Sequence, residues 1–158
     1  AKTFNIASVT ESPIVIPNPE HRELFEQFTF RFFIDKPTAF STVAMEAAYR
    51  YGAPWLDELL QYLQGNIVFL QGFLEDRIPA VELVAPQGTF LVWLDFRKLG
   101  LDAKELEAFL VNEARIALSS GYWFGRQGAG YARMTIGCPR SMLEDGLKRL
   151  ERAVQTLS

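Results

Sequence analysis

A mixed α/β fold, with a small sheet carrying helices on one face, is predicted from three patterns. Between Pro54 and Leu74, the residues Leu56, Leu59, Leu60, Leu63, Ile67, Leu70 and Leu74 recur mainly at spacings of three and four. That is the period of a helix with one apolar side. Val81–Val84, Thr89–Phe96 and Tyr131–Ile136 are short runs of strand-forming residues bounded by turn residues. After Gly52 the order is helix, two strands, helix, strand, strand and helix, which reads as one α/β layer. No repeat of fixed period occurs, so a solenoid is excluded.

The elements follow in chain order. Ile14-Val15-Ile16 reads as a strand that stops at Pro17-Asn18-Pro19, because proline removes a ladder donor and restricts the residue before it. A helix opens at Glu20; the aromatic stretch Phe28–Phe33 alternates too weakly for an assignment. Phe40–Tyr51 is alanine-rich and reads as a short helix ending at Gly52. Pro54 suits the first turn of the long helix, and Pro79 ends that segment. Pro86-Gln87-Gly88 marks a turn between two strands, so the spacing of Val81–Val84 and Thr89–Phe96 suits a hairpin or a bent ribbon. Asp102 with Glu105 predicts a capping box for a helix burying Leu106, Phe109 and Leu110. Ile116–Leu118 is a short strand candidate, and Gly121, Gly125, Gly128 and Gly130 space a loop leading into Tyr131–Ile136. Ser141 with Glu144 predicts a second capping box, for a final helix with Leu143, Leu147, Leu150, Val154 and Leu157 on one face. One strand and one or two helices cannot close a sheet, so the part before Gly52 reads as a remnant, 1–52, followed by a domain at 53–158.

Composition narrows the function classes. Hydrophobic residues are 49% and charged residues 22%, which excludes a disordered chain. The net charge of −3 argues against a nucleic-acid or anionic-membrane surface. Apolar runs such as Phe90–Leu94 are far too short to span a bilayer. The single cysteine, Cys138, cannot form an internal disulfide and fits a reducing, cytoplasmic setting.

Few residues stand out as chemistry. In Tyr131–Ile136 the alternation turns Ala132, Met134 and Ile136 to the core and Tyr131, Arg133 and Thr135 to the opposite face. A strand-mounted arginine offers a planar fork for a carboxylate or phosphate; the alternative is an arginine on an uncovered sheet face. The glycine loop does not read G-x-G-x-x-G and precedes a strand, so its work is to turn the backbone and allow close approach. His21 is the only histidine and lies between Glu20 and Arg22, a solvated setting that offers no metal cluster and no triad. Cys138, beside Pro139, reads as a buried structural thiol with no adjacent base. Lys2, on physical grounds, reads as a solvated lysine near a chain end.

A set of ordered motifs changes the weight of two of these residues. Lys2-Thr3-Phe4-Asn5-Ile6-Ala7 is similar to the cofactor-lysine segment of fold-type I pyridoxal-phosphate enzymes, in the cystathionine β-lyase/aminotransferase group often called MalY/PatB-like. Along the chain, Ile14–Glu20, Ala44–Tyr49, Gly52, Trp55-Leu56, Tyr62-Leu63, Gly65-Asn66 and Pro86–Asp95 resemble the same family. The most specific stretch is Gly121, Phe124-Gly125, Gly128, Gly130-Tyr131, Arg133 and Gly137-Cys138-Pro139-Arg140-Ser141.

That resemblance implies a small mixed or antiparallel sheet packed with helices, the C-terminal domain of a pyridoxal-phosphate-dependent transferase fold. It implies that Lys2 is both the cofactor-binding and the catalytic residue, holding pyridoxal 5'-phosphate covalently and then moving the Cα proton. It also implies that Arg133 is the substrate-binding residue for an α-carboxylate. The activity implied is a C–S β-lyase or an aminotransferase acting on an amino acid, with a homodimer or self-association expected. Several positions depart from the pattern: Ala1, Ser8, Thr10, Ser119-Ser120 and Tyr122-Trp123. Thr10 stands where general aminotransferases often carry a phosphate-binding arginine. The pyridine-nitrogen partner and most phosphate contacts of the family precede the lysine, so the chain is expected to be a piece cut just before Lys2 and inactive alone. The competing expectation is a free-standing, non-catalytic α/β interaction module.

Overall fold

A computed structural model describes residues 2–9, 11–34 and 36–157. They divide into two compact units, Ala1–Leu60 and Gln61–Ser158, and the division falls inside one long helix.

The first unit contains helices α1 (Pro19–Arg31) and α2 (Ala39–Tyr51) and the start of α3 (Ala53–Arg77). Helix α1 starts where Asn18 Oδ1 accepts the Glu20 and His21 N–H groups, with Pro19 in the first turn. It runs through Phe28 and Phe30, so most of the unassigned aromatic stretch is helical, and the chain leaves it through Phe33 at φ 54°. Thr38 caps α2 by accepting the Ser41 N–H, and Gly52 closes it by donating to Ala48 O. The expected strand at Ile14–Ile16 does not form: the segment has no regular structure and no ladder partners among the described residues, and Ile14 and Val15 are exposed. β-rich sequence makes a strand only where another strand supplies its hydrogen bonds.

The second unit holds the rest of α3, then β1 (Glu82–Val84), β2 (Leu91–Asp95), α4 (Ala103–Ala108), β3 (Ser119–Ser120), β4 (Tyr131–Thr135) and α5 (Arg140–Gln155). The strands form one antiparallel sheet in the order β1-β2-β4-β3. Alternation divides its two faces. Val92, Leu94, Ala132, Met134 and Ile136 are buried, together with Leu70 and Leu74 of α3, Leu106 of α4 and Leu143, Leu147 and Leu150 of α5. Each fully buried leucine contributes about 1.5–3 kcal/mol of transfer free energy. The opposite face, carrying Trp93, Tyr131 and Arg133, is only half-buried. The hairpin, the long helix and the core-facing set at 132, 134 and 136 therefore stand as expected.

Two local expectations need correction. The edge strand is Ser119–Ser120 rather than Ile116–Leu118. Helix α4 continues as a π-helical turn over Phe109–Glu113, Arg115 takes φ 53°, and the Ile116 N–H donates back to Leu110 O, so that segment is still leaving the helix. The capping box at Asp102 and Glu105 is present with both bonds, but Ser141 caps nothing. Helix α5 begins at Arg140 with Pro139 before it; Pro139 O accepts from Met142 and Leu143, and the Arg140 N–H donates to Tyr62 Oη at 2.7 Å. The tyrosine of α3 supplies what a side-chain cap would have supplied.

Candidate functional site: an unpaired arginine on the open sheet face

Strand register puts one lateral row across the half-buried face. Val84 pairs with Trp93, Trp93 with Arg133, and Arg133 with Ser119, one residue from each of the four strands. Phe124 adds a ring from the 3₁₀ turn Gly121–Phe124: its centroid lies 5.3 Å from that of Trp93, at 84°, and the Arg133 Cζ sits 4.5 Å from its centre. Beside this row is a hollow of about 560 Å³, lined by the 84–89 turn, Leu91, Val92, Trp93, Phe124 and Arg133. Arg133 is the only charged residue in that lining.

A neighbouring row shows what a structural arginine looks like on the same face. Glu82 pairs with Asp95 and Asp95 with Tyr131. Arg97 donates to both Asp95 carboxylate oxygens, at 3.0 and 2.7 Å, and stacks 4.8 Å over Tyr131. The Arg97 side-chain bonds hold the Asp95 carboxyl below its ordinary value. Arg97 is thus neutralised in place. Arg133, by contrast, has no carboxylate partner among the described residues, and its one polar contact is a long one, Nη2 to Ser119 Oγ at 3.4 Å. A buried or half-buried cation left without a counter-ion is available to an anion from outside.

The glycine loop works through its own backbone. Gly121 and Gly128 pack so closely that a Cβ on either would collide with the other's carbonyl oxygen, while Gly125 and Gly130 adopt φ of 125° and 81°. These contacts fix the turn that presents Phe124. No phosphate cradle is needed to explain them.

Lys2 belongs to the first unit. It is exposed, and its carbonyl accepts the Asn5 N–H at 3.2 Å in a turn where Asn5 has φ 54°. Two residues on, Phe4 anchors that turn: its ring lies 5.1 Å from Tyr49 and 6.3 Å from Trp55, and a Cβ on Gly52 would meet its Cε1 at 2.6 Å. Lys2 has no ion-pair partner among the described residues. Ala1 and Thr10 lie outside the described residues. His21 is exposed, and no group of three or more His, Cys, Asp or Glu that could hold a metal occurs among the described residues. Cys138 is half-buried rather than fully buried, and desolvation pushes its thiol up, away from nucleophilic use.

Reasoning from sequence passed over Trp93 and Phe124 as partners of Arg133. The signal for Trp93 was the two-residue alternation of Leu91, Trp93 and Asp95, which places it on the face of Arg133 once the strands are paired, whereas Phe124 lies in a turn outside the strands and no such alternation marks it.

No family model matches the chain. Among curated proteins it is 37% identical over 154 residues to cystathionine β-lyase PatB of Bacillus subtilis, a match covering 98% of this chain and 40% of that protein. It is 34% identical over 158 residues to protein MalY of Escherichia coli, covering 99% of this chain and again 40% of the relative. The chain is homologous to MalY/PatB-like cystathionine β-lyases along nearly all of its length. It spans about 40% of the length of these relatives and corresponds to their C-terminal part. Among solved structures, this chain superposes on cystalysin from Treponema denticola, which contains pyridoxal 5'-phosphate, with a TM-score of 0.91 and 34% identity. That match covers 99% of this chain and 40% of cystalysin. Among the described residues, no helix is long and apolar enough to cross a membrane.

Proposed function

We propose that the chain supplies two working residues to a pyridoxal-phosphate-dependent enzyme acting on amino acids, either a C–S β-lyase or an aminotransferase. The observation that carries this reading is the unneutralised Arg133 guanidinium on a rigid sheet beside an apolar hollow. Arg133 binds the substrate α-carboxylate through two parallel N–H···O bonds. Lys2 holds the cofactor by its side-chain amine, and its exposure and lack of a partner among the described residues fit that attachment. Bound pyridoxal phosphate supplies the electron sink for charge developing at Cα. Once its amine is free, Lys2 takes the Cα proton as general base. In a β-lyase the electron pair left at Cα would form the Cα–Cβ double bond as the β-thiolate departs and takes up a proton, and water would hydrolyse the imine tautomer of the released enamine to pyruvate and ammonia. In an aminotransferase Lys2 would instead deliver the proton to a carbon of the cofactor, and water would release the substrate as a keto acid with its amino nitrogen left behind on the cofactor.

Within this proposal, residues 1–52 are the end of a large cofactor-binding domain and 53–158 a small domain. The enzyme is a cytoplasmic homodimer. Alone, the 158-residue chain has negligible turnover, because a lysine and an arginine without a partner for the pyridine nitrogen cannot pre-organise the cofactor. The test mixes the chain with pyridoxal phosphate and either cystathionine or an amino acid with a keto acid; vigorous pyruvate release or transamination overturns that expectation. In the whole protein, Lys2→Ala should abolish borohydride-fixed cofactor labelling together with activity. Retention of both would remove Lys2 from its role.

A further inference from the structure

Phe124 is a poor core residue, being 53% exposed, yet its ring lies against the Arg133 guanidinium with Trp93 edge-on to it. The backbone contact of Gly121 with Gly128 and the positive φ of Gly125 fix the turn that carries it. So much local constraint for a half-exposed ring needs a reason other than burial.

The comparison with Arg97 suggests one. Arg97 is held in place by the Asp95 carboxylate, which consumes its charge and its N–H donors. An arginine meant for an incoming carboxylate cannot be held that way. If it were left loose, it would lose rotamer freedom on each binding event. An aromatic face fixes the guanidinium plane and leaves both the charge and the in-plane N–H groups free.

We propose that Phe124, braced by Trp93, is a positioning residue that holds the Arg133 guanidinium ready for the substrate carboxylate. The inference rests on the reading of Arg133 given above. It is tested in the whole protein loaded with cofactor, by following absorbance as L-alanine or L-alaninamide is added. The acid-to-amide affinity ratio isolates the guanidinium–carboxylate contact. Phe124→Leu should lower that ratio about fivefold through the acid alone. The amide affinity and thermal midpoint should stay unchanged. Phe124→Trp should restore the ratio. Phe124→Met carries the same expectation as the leucine variant should the latter fail to fold. Arg133→Gln should bring the ratio close to one. If Arg133→Gln does so while Phe124→Leu and Phe124→Met leave the ratio intact, the positioning role is overturned and the carboxylate reading stands. If Arg133→Gln leaves the ratio intact, the carboxylate reading falls and the inference falls with it.

Discussion

Asn66 is completely buried, and its amide ties three parts of the second unit together. Its Nδ2 donates to Ile136 O at 2.8 Å and Cys138 O at 3.2 Å, and its Oδ1 accepts from Arg140 Nε at 2.7 Å. The guanidinium of Arg140 in turn lies 4.6 Å from the centre of Phe69. Asn66→Ala leaves the Ile136 carbonyl buried without its donor, and should cost about 2–4 kcal/mol by urea unfolding. A value under about 1 kcal/mol would mean that water replaces the amide without penalty. Asp95 gives a prediction in pH. Its folded value is depressed by Arg97, so the unfolded chain binds the proton more readily. The stability it contributes is present above its ordinary value of 3.8 and is lost as pH falls through the lower, folded value. Asp95→Asn should therefore lower the thermal midpoint at pH 7, and the gap from wild type should close as pH drops below that range. A gap that is constant with pH would assign the effect to packing rather than charge.

At the scale of elements, the two expected capping boxes make a controlled pair. Asp102 accepts the Lys104 and Glu105 N–H groups while Glu105 accepts the Asp102 N–H, all within three residues. Asp102→Ala should cost about 1 kcal/mol. Ser141 makes no cap bond, and Ser141→Ala should change stability by less than about 0.5 kcal/mol. Equal effects would contradict the structure. Both motifs have the same S/T/D-x-x-E form, so sequence alone could not separate them. What separates them is Pro139, whose fixed φ admits the helix at Arg140, and Tyr62, 78 residues away, which takes the free N–H. The strand at Ile14–Ile16 fails for a related reason: its propensity is local, while the partner a strand requires is not.

For the whole molecule, the first unit exposes apolar side chains that a stable domain would cover. Phe28, Phe30, Phe32, Phe33, Ile34 and Phe40 are 57–87% exposed. Exposed apolar surface on this scale drives association. The 158-residue chain should self-associate in sedimentation at micromolar concentration, and Phe30→Ser with Phe33→Ser should shift it toward monomer. A monodisperse wild-type monomer would count against this.

The sequence by itself determined whatever depends on local period and local chemistry. The long leucine helix, the core face of Tyr131–Thr135, the Asp102 cap and the ordered motifs that mark the family were legible for that reason. It also put Arg133 on the face opposite the core, although whether that arginine was free or paired stayed open. Only tertiary structure decided this, by bringing Arg97 rather than Arg133 to Asp95 and by setting Phe124 under the unpaired guanidinium. Charge neutralisation and ring stacking act over a few ångströms in space, between residues that chain distance does not bring together, and strand register is what placed them.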